Sequence, residues 1–190
     1  MIAGQQLTAS PVALRPHPRF RQSAVERIMV EGARTPDHAL HIRYVVTGAL
    51  DRIRLAVPAS SLRRDSLWRT TCFEAFMLAD DTPGYYEANF SPSSEWAAYH
   101  FDAYRMNMNP APVGAPPRIV TEREGDRLTM DVRLDPSWVP PTVTLRFGLS
   151  AVIEADDGTL SYWALAHPPG NPDFHHRDCF ALELAATDPL

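Results

Sequence analysis

Short segments in which apolar and polar residues alternate recur along this chain. In Arg127–Leu134, for example, Leu128, Met130, Val132 and Leu134 alternate with polar residues. Alternation at a period of two is typical of a strand with one buried face. The sequence also contains 18 prolines among 190 residues, and they lie mostly between the alternating segments. Because proline interrupts helices and the ladders of central strands, this pattern predicts many short strands and almost no helix.

The predicted strands are separated by turn-forming residues, so we expect an all-β fold. They are approximately Ala24–Glu31, His38–Gly48, Arg52–Ala56, Thr71–Ala79, Tyr85–Phe90, Trp96–Asp102, Ile119–Glu124, Arg127–Leu134, Thr142–Glu154, Leu160–His167 and Cys179–Leu184. Gly125-Asp126 and Ala155–Gly158 are predicted hairpin turns. This spacing favours an antiparallel β-sandwich or jelly roll of about ten or more strands. Residues 24–190 would form one domain, with residues 1–23 as an N-terminal extension packed on it.

The segment that begins at Trp96 is open to two interpretations. Ser91-Pro92 is a possible helix start, and a helix would place Trp96, Tyr99, His100 and Ala103 on one face. As a strand, the same segment would alternate between two faces. We favour the strand.

Composition excludes several classes of protein. The formal net charge is −5 and no cluster of basic residues occurs, so a nucleic-acid-binding surface is not expected. No apolar run approaches the roughly 18 residues of a membrane span, and the N-terminus lacks the pattern of a signal peptide. We therefore expect a cytoplasmic protein. Cys72 and Cys179 are expected to be reduced, although one bridge is possible if their strands are neighbours.

Polar residues are expected on one sheet face, beside a central strand. In Thr71–Ala79 both faces are apolar except for Glu74, so this strand would be covered on both sides. A buried glutamate needs a partner, and Arg146 or Arg133 is the predicted one. Glu87 would share the outward face. This face is either a satisfied ion network or a binding surface, and the network would comprise Glu74, Glu87, Asp131, Arg133 and Arg146.

Tryptophan beside carboxylates, an amide and arginine is typical of a saccharide site. The ring covers the C–H face of the sugar, and the polar groups bind its hydroxyls. Under the strand interpretation we expect Trp96 and His100 to lie on the outward face with Glu87 and Asn89. The sequence therefore predicts a polar, flat-faced ligand.

Three segments together resemble a known superfamily. They are LWRTTCFEAFM, YYEANFSPSSEWAAYHFDAYRM and YWALAHPPGNPDFHHRDCFALEL, and the similarity extends over roughly Ala24 to Leu184. The chain resembles the DOMON-like superfamily, in particular a bacterial stand-alone group related to family 9 carbohydrate-binding modules. The resemblance implies a β-sandwich of ten or so strands that binds a ligand, chiefly sugar or haem, and is not itself a catalyst.

We therefore expect a non-catalytic module that binds a small polar ligand, most simply a carbohydrate. The predicted contact residues are Trp68, Arg69, Glu74, Glu87, Asn89, Trp96, His100, Arg146 and Trp163. One alternative is a haem-binding module with His100, His167, His175 or a methionine as axial ligand. Another is an enzyme of unknown reaction that uses the sheet-face carboxylates. A metal site at His167, His175 and His176 is disfavoured, because adjacent histidines on an extended chain point to opposite faces.

Overall fold

The computed structural model describes residues 10–20, 23–79, 82–138 and 142–186. Within these ranges the chain forms short 3₁₀ helices at Leu50–Arg52, Leu67–Arg69 and Arg177–Cys179. The strands, in chain order, are β1 (Val12–Ala13), β2 (Arg15–Pro16), β3 (Val25–Arg34), β4 (Leu40–Gly48), β5 (Cys72–Ala79), β6 (Tyr85–Phe90), β7 (Trp96–Phe101), β8 (Asn109–Pro110), β9 (Arg118–Glu124), β10 (Arg127–Leu134), β11 (Leu145–Glu154), β12 (Leu160–Ala164) and β13 (Leu182–Leu184).

Two antiparallel sheets pack face to face, which confirms the predicted β-sandwich. The five-stranded sheet has the order β1-β3-β4-β10-β9. The eight-stranded sheet has the order β2-β12-β11-β5-β6-β7-β8, and β13 pairs with β11. The segment at residues 10–20 contributes one short strand to each sheet, because β1 pairs with β3 and β2 pairs with β12.

The main core lies between the sheets and follows the predicted alternation. On β10 the side chains of Leu128, Met130, Val132 and Leu134 are all buried in it. The central strand β5 is buried on both faces, as expected. Its odd-numbered residues face the core, whereas Cys72, Glu74 and Phe76 face away from it, and Cys72 and Phe76 belong to a second apolar cluster. This second cluster lies on the outer face of the eight-stranded sheet, under the loops that form the candidate site.

The structure decides the local alternatives. The segment that begins at Trp96 is a strand and not a helix. Both hairpin predictions are confirmed, since Glu124 pairs with Arg127 across one turn and Glu154 pairs with Leu160 across the other. The predicted strand Arg52–Ala56 is wrong: the chain turns there through the 3₁₀ helix Leu50–Arg52, which lets Leu50 reach the core.

Two further findings concern the cysteines and membrane association. Cys72 and Cys179 are both buried as free thiols, so the possible bridge between them is not formed. Cys179 lies in a 3₁₀ helix, not in a strand as predicted, and burial raises the pKa of its thiol to about 12. Within the described ranges, no helix has the length and apolar character needed to cross a membrane.

Candidate functional site

A cleft of about 650 Å³ lies on the outer face of the eight-stranded sheet. Its floor comes from the central strands β5, β6 and β11. Its walls come from the 3₁₀ helix Leu67–Arg69 and from the segments 102–108 and 165–181. The polar lining residues are Arg69, Glu74, Glu87, Arg105 and His175, and the aromatic lining residues are Trp68, Phe76, Phe101, Tyr162 and Phe174.

Strand register brings the polar residues of the floor together. Glu74 on β5 pairs with Asn89 on β6, and Phe76 pairs with Glu87. On its other side Glu74 pairs with Ser150 on β11. Since directly paired residues share a face, the two glutamates become diagonal neighbours on the cleft side of the sheet. The prediction that Glu74 and Glu87 share a face is therefore confirmed.

The two glutamates are almost completely buried, with 2% of Glu74 and 5% of Glu87 exposed. The hydroxyl of Ser150 donates to Glu74 Oε2 at 3.1 Å, and the amide of Asn89 donates to Glu87 Oε1 at 2.7 Å. Burial raises the pKa of the Glu87 carboxyl to about 7. Burial raises the pKa of Glu74 well above its usual value, and the nearby charge of Glu87 adds to this effect. At pH 7 the Glu87 carboxyl is therefore about half protonated, and burial favours the neutral form of Glu74.

His175 covers the floor from the loop side. Its Nδ1 lies 2.7 Å from the phenolic oxygen of Tyr85, which also accepts the backbone N–H of Arg105 at 3.2 Å. All three groups are satisfied when Tyr85 donates its proton to Nδ1, so we assign the histidine proton to Nε2. That nitrogen lies 3.7 Å from Glu87 Oε2. Burial, with the nearby charge of Arg105, lowers the pKa of His175 to about 4, so this histidine is neutral at pH 7.

An ion pair joins the two loops that border the cleft. Arg105 Nη2 donates to Asp173 Oδ1 at 2.8 Å, and Tyr104 donates to the other carboxylate oxygen of Asp173. Arg105 and Asn107 adopt left-handed backbone conformations with φ of 53°. Such conformations are costly for residues other than glycine and persist where the surroundings hold them. The segment 102–108 is therefore fixed in place beside the floor.

Trp68 forms the aromatic edge of the cleft. It is half-buried, and its ring packs edge-on against Tyr99 at a centroid distance of 5.7 Å. The hydroxyl of Tyr99 donates to Asp65 at 2.7 Å, so the supporting ring is itself fixed. Arg69, the next residue, is exposed at the rim. Trp68, Arg69, Glu74 and Glu87 are thus the predicted contact residues that line the cleft. Asn89 lies beneath Glu87 and is fully buried.

Two predicted tryptophans lie in the main core. Trp96 pairs with Phe90, faces the interior of the sandwich and packs against Trp138 at 5.8 Å. The prediction that it lies on the outward face is therefore wrong. Trp163 is 4% exposed and lies in the same core, where its indole N–H donates to Ser161 at 2.9 Å. Trp68 is thus the tryptophan that lines the cleft.

His100 and Arg146 are also separate from the cleft. His100 points to the same side of its strand as Trp96 and lies at a sheet end, with its ring 4.9 Å from that of Tyr86. Arg146 is exposed and lies opposite Leu78 and Glu183, four residues along β11 from Ser150. The predicted pairing of Glu74 with arginine is wrong, because Ser150 is its side-chain hydrogen-bond partner.

The predicted ion network on one face is also wrong. Asp131 and Arg133 lie on β10, in the five-stranded sheet, whereas Glu74 and Glu87 lie in the other sheet. Asp131 instead pairs with Arg43 at 2.7 Å and with His41 at 2.8 Å. Charged partners on the outer face of the five-stranded sheet therefore satisfy this carboxylate locally.

Two of the three histidines that were considered as metal ligands form hydrogen bonds with the backbone. His167 Nε2 contacts the backbone oxygen of Arg15 at 2.8 Å, and His176 accepts the backbone N–H of Asp178. His175 lines the cleft, but Tyr85 engages one of its nitrogens and the other faces a carboxyl group. No group of three or more metal-binding side chains occurs among the described residues. Met108 also lines the cleft, and the haem alternative stays a prediction.

Several cleft residues were missed in the sequence, and all of them except Tyr162, which lies on β12, come from irregular segments. Arg105, Tyr162 and Phe174 line the cleft, and His175 was considered only as a metal or haem ligand. The turn-rich PPGNPDFHH sequence did indicate a loop. Its Asp173, two residues before His175, accepts the backbone N–H of that residue. This short-range aspartate pattern is the signal that marks an ordered loop.

Comparisons with known proteins support the fold. No protein-family model matches this chain, and no curated protein is significantly similar to it in sequence. Among solved structures, the chain is similar to the crystal structure of a candidate carbohydrate-binding protein from Bacteroides uniformis ATCC 8492. The two share 13% identity with a TM-score of 0.63, over 88% of this chain and 81% of the other. At this identity the match shows a common fold, a β-sandwich.

Proposed function

We propose that this protein is a small-ligand-binding module of DOMON-like type that binds a carbohydrate in the cleft on the outer face of the eight-stranded sheet. One observation carries the proposal: the half-buried ring of Trp68 and two nearly buried carboxyl groups line the same cleft. A stacking ring beside hydroxyl-binding groups is the chemistry that saccharide recognition requires. The structural similarity to a candidate carbohydrate-binding protein supports this proposal.

Each lining residue has a role in this proposal. Trp68 packs against the C–H face of a sugar ring. Glu74 and Glu87 bind polar groups at the floor, where low solvent access strengthens each hydrogen bond. Arg69 at the rim and the Nε2–H of His175 donate to oxygen atoms of the ligand. A cleft of about 650 Å³ is within the range of small-molecule sites.

Trp68→Ala is expected to weaken carbohydrate binding by about tenfold or more, the equivalent of about 1.4 kcal/mol. The experiment is isothermal titration of the wild type against a panel of mono- and disaccharides, followed by titration of the variant with each sugar that binds. Tyr86→Ala is the matched control, because Tyr86 is an aromatic residue exposed on a strand of the same sheet but outside the cleft. It is expected to bind like the wild type.

Two results would contradict the proposal. The first is that no sugar of the panel binds the wild-type protein. The second is that Trp68→Ala binds as tightly as the wild type while retaining its circular dichroism spectrum. In the second case the ligand would occupy another surface.

A second candidate function is a hydrolase that acts on a sugar in the same cleft. The observation that favours it is the Glu87 carboxyl, whose pKa of about 7 suits a general acid at neutral pH, with Glu74 as a second carboxyl nearby. Release of reducing sugar from oligosaccharides, lost in Glu87→Gln, is the expected result for a hydrolase. Binding without any release of product supports the non-catalytic module.

A further inference from the structure

We infer that the sugar bound by this cleft carries a protonated amino group, and that Glu74 and Glu87 together bind that ammonium group. The ligand class is therefore an amino sugar with a free amine. This inference rests on the proposed function and narrows it to one class of ligand.

Each of the two carboxyl groups has one oxygen atom that accepts no hydrogen bond from the described residues. Glu74 Oε2 accepts from Ser150, but Oε1 has no hydrogen-bond partner among the described residues. Glu87 Oε1 accepts from Asn89, and Oε2 makes only the 3.7 Å approach to His175. Neither oxygen is among the described side-chain atoms that are fully buried without a partner, so both can be reached from the cleft. These two oxygens line the cleft, so a ligand is the partner available to them.

Within the described part of the chain, no arginine forms an ion pair with Glu74 or Glu87, although the charge of Arg105 acts on Glu87 against the effect of burial. Arg105 is the nearest guanidinium in the lining, and its charge is balanced by Asp173 at 2.8 Å. Arg69 is exposed at the rim and makes no ion pair with a described residue. Burial favours the neutral form of both carboxyl groups in the free protein. An ammonium group is a compact donor of three hydrogen bonds, and its positive charge favours the ionised form of both carboxyl groups when it binds between them.

The other ionisable groups around the floor do not take this role. Tyr85 and His175 lie above Glu87 from β6 and the 165–181 loop, and Cys72 and Tyr99 flank the floor on β5 and β7. Burial raises the pKa of Tyr85, Cys72 and Tyr99, so all three are neutral near pH 7. Burial also keeps His175 neutral at that pH. The positive charge that an incoming ammonium group meets near the floor is that of Arg105, which is paired with Asp173.

Binding of an amine has a consequence that binding of a neutral sugar lacks. In the free protein at pH 7, Glu87 is about half protonated and burial favours the protonated form of Glu74. An ammonium group favours their ionised form, so it displaces protons to the solvent as it binds. A neutral sugar brings no charge and leaves the protons in place. Proton release is therefore a readout that separates recognition of an amine from recognition of hydroxyl groups.

The experiment is isothermal titration at pH 7 with glucosamine, glucose and N-acetylglucosamine, and with galactosamine and galactose as a second pair. Each titration is repeated in two buffers of different ionisation enthalpy. We expect each free amino sugar to bind at least about tenfold more tightly than its neutral counterpart, as a charge-assisted hydrogen bond predicts. We also expect the heat to depend on the buffer for the amino sugars alone, with the sign of proton release.

Variants separate the inference from the proposed function. Glu87→Gln and Glu74→Gln are expected to reduce the preference for the amine to within about threefold, whereas Glu124→Gln, at an exposed position, is expected to retain it. Thermal unfolding of each variant verifies that it is folded. Equal or tighter binding of glucose or N-acetylglucosamine would overturn the inference and leave the proposed function intact. Failure of all the sugars to bind would overturn both.

Discussion

Replacing Trp96 with alanine will lower the free energy of unfolding by about 3–5 kcal/mol, the range for truncating a buried aromatic side chain. Trp96 is 5% exposed and packs between the sheets against Trp138. The guanidinium of Arg63 also lies over its ring, 5.4 Å from the centroid. Removal of the indole therefore leaves a cavity in the main core and removes the partner of two further side chains. Urea unfolding monitored by circular dichroism measures the effect.

Trp68→Ala is the control for this prediction, since it truncates the same residue type at the cleft edge. Trp68 is half-buried, so we expect it to lose less than half as much stability as Trp96→Ala. Trp96→Ala should thus lose mainly stability, whereas Trp68→Ala should lose mainly sugar binding. A stable Trp96→Ala protein that fails to bind sugar would place Trp96 at the ligand and contradict this assignment.

Replacing Glu87 with glutamine will make the protein progressively more stable than the wild type as the pH rises. The pKa of this carboxyl is about 7 in the folded protein, against a usual value of 4.5. The folded state therefore holds its proton more tightly than the unfolded state, and stability falls as the pH rises from 4.5 to 7. A difference of this size corresponds to about 3 kcal/mol. Glutamine does not ionise, so the variant escapes this loss.

The variant must be compared with the wild type, because titration of His175 changes the free energy of unfolding with pH in the opposite direction to titration of Glu87. Its pKa is about 4 in the folded protein against 6.5, so its contribution to stability is lost as the pH falls from 6.5 to 4. Both proteins contain His175, and the difference between their unfolding free energies from pH 4 to 8 cancels its effect. Glu124→Gln, on the exposed side of β9, should run parallel to the wild type. If the unfolding free energy of Glu87→Gln instead follows that of the wild type in parallel from pH 4 to 8, burial does not raise the pKa of Glu87.

The alternation of apolar and polar residues predicts which residues of one strand share a face. It does not predict which face of the next strand, beyond a turn, points to the core. The core faces of β5 and β10 were correctly predicted, because polar residues alternate with apolar ones on β10 and the single polar residue Glu74 marks the outward face of β5. β7 has no such contrast, since Trp96, Ala97, Ala98, Tyr99 and Phe101 are all apolar or aromatic. Its orientation is decided by the Phe90 to Trp96 pairing across the turn. One residue more or fewer in that turn would have placed Trp96 outside.

The candidate site was predictable to the extent that it lies on strands. Glu74, Glu87 and Asn89 follow from strand parity, whereas Arg105, Phe174 and His175 come from segments without periodicity. Their positions depend on contacts between loops, such as the ion pair between Arg105 and Asp173. These contacts join residues far apart in the chain, and no local pattern in the sequence indicates them.

Tryptophan fluorescence tests the location of the ligand most directly. Of the four tryptophans, Trp68 lines the cleft, and the other three are buried in the core at 4–7% exposure. With a sugar that binds in calorimetry, saturation of the wild type should change the emission spectrum, and Trp68→Phe should lose that change while still binding. An equal spectral change in Trp68→Phe would show that the sugar binds away from this cleft and would contradict the account.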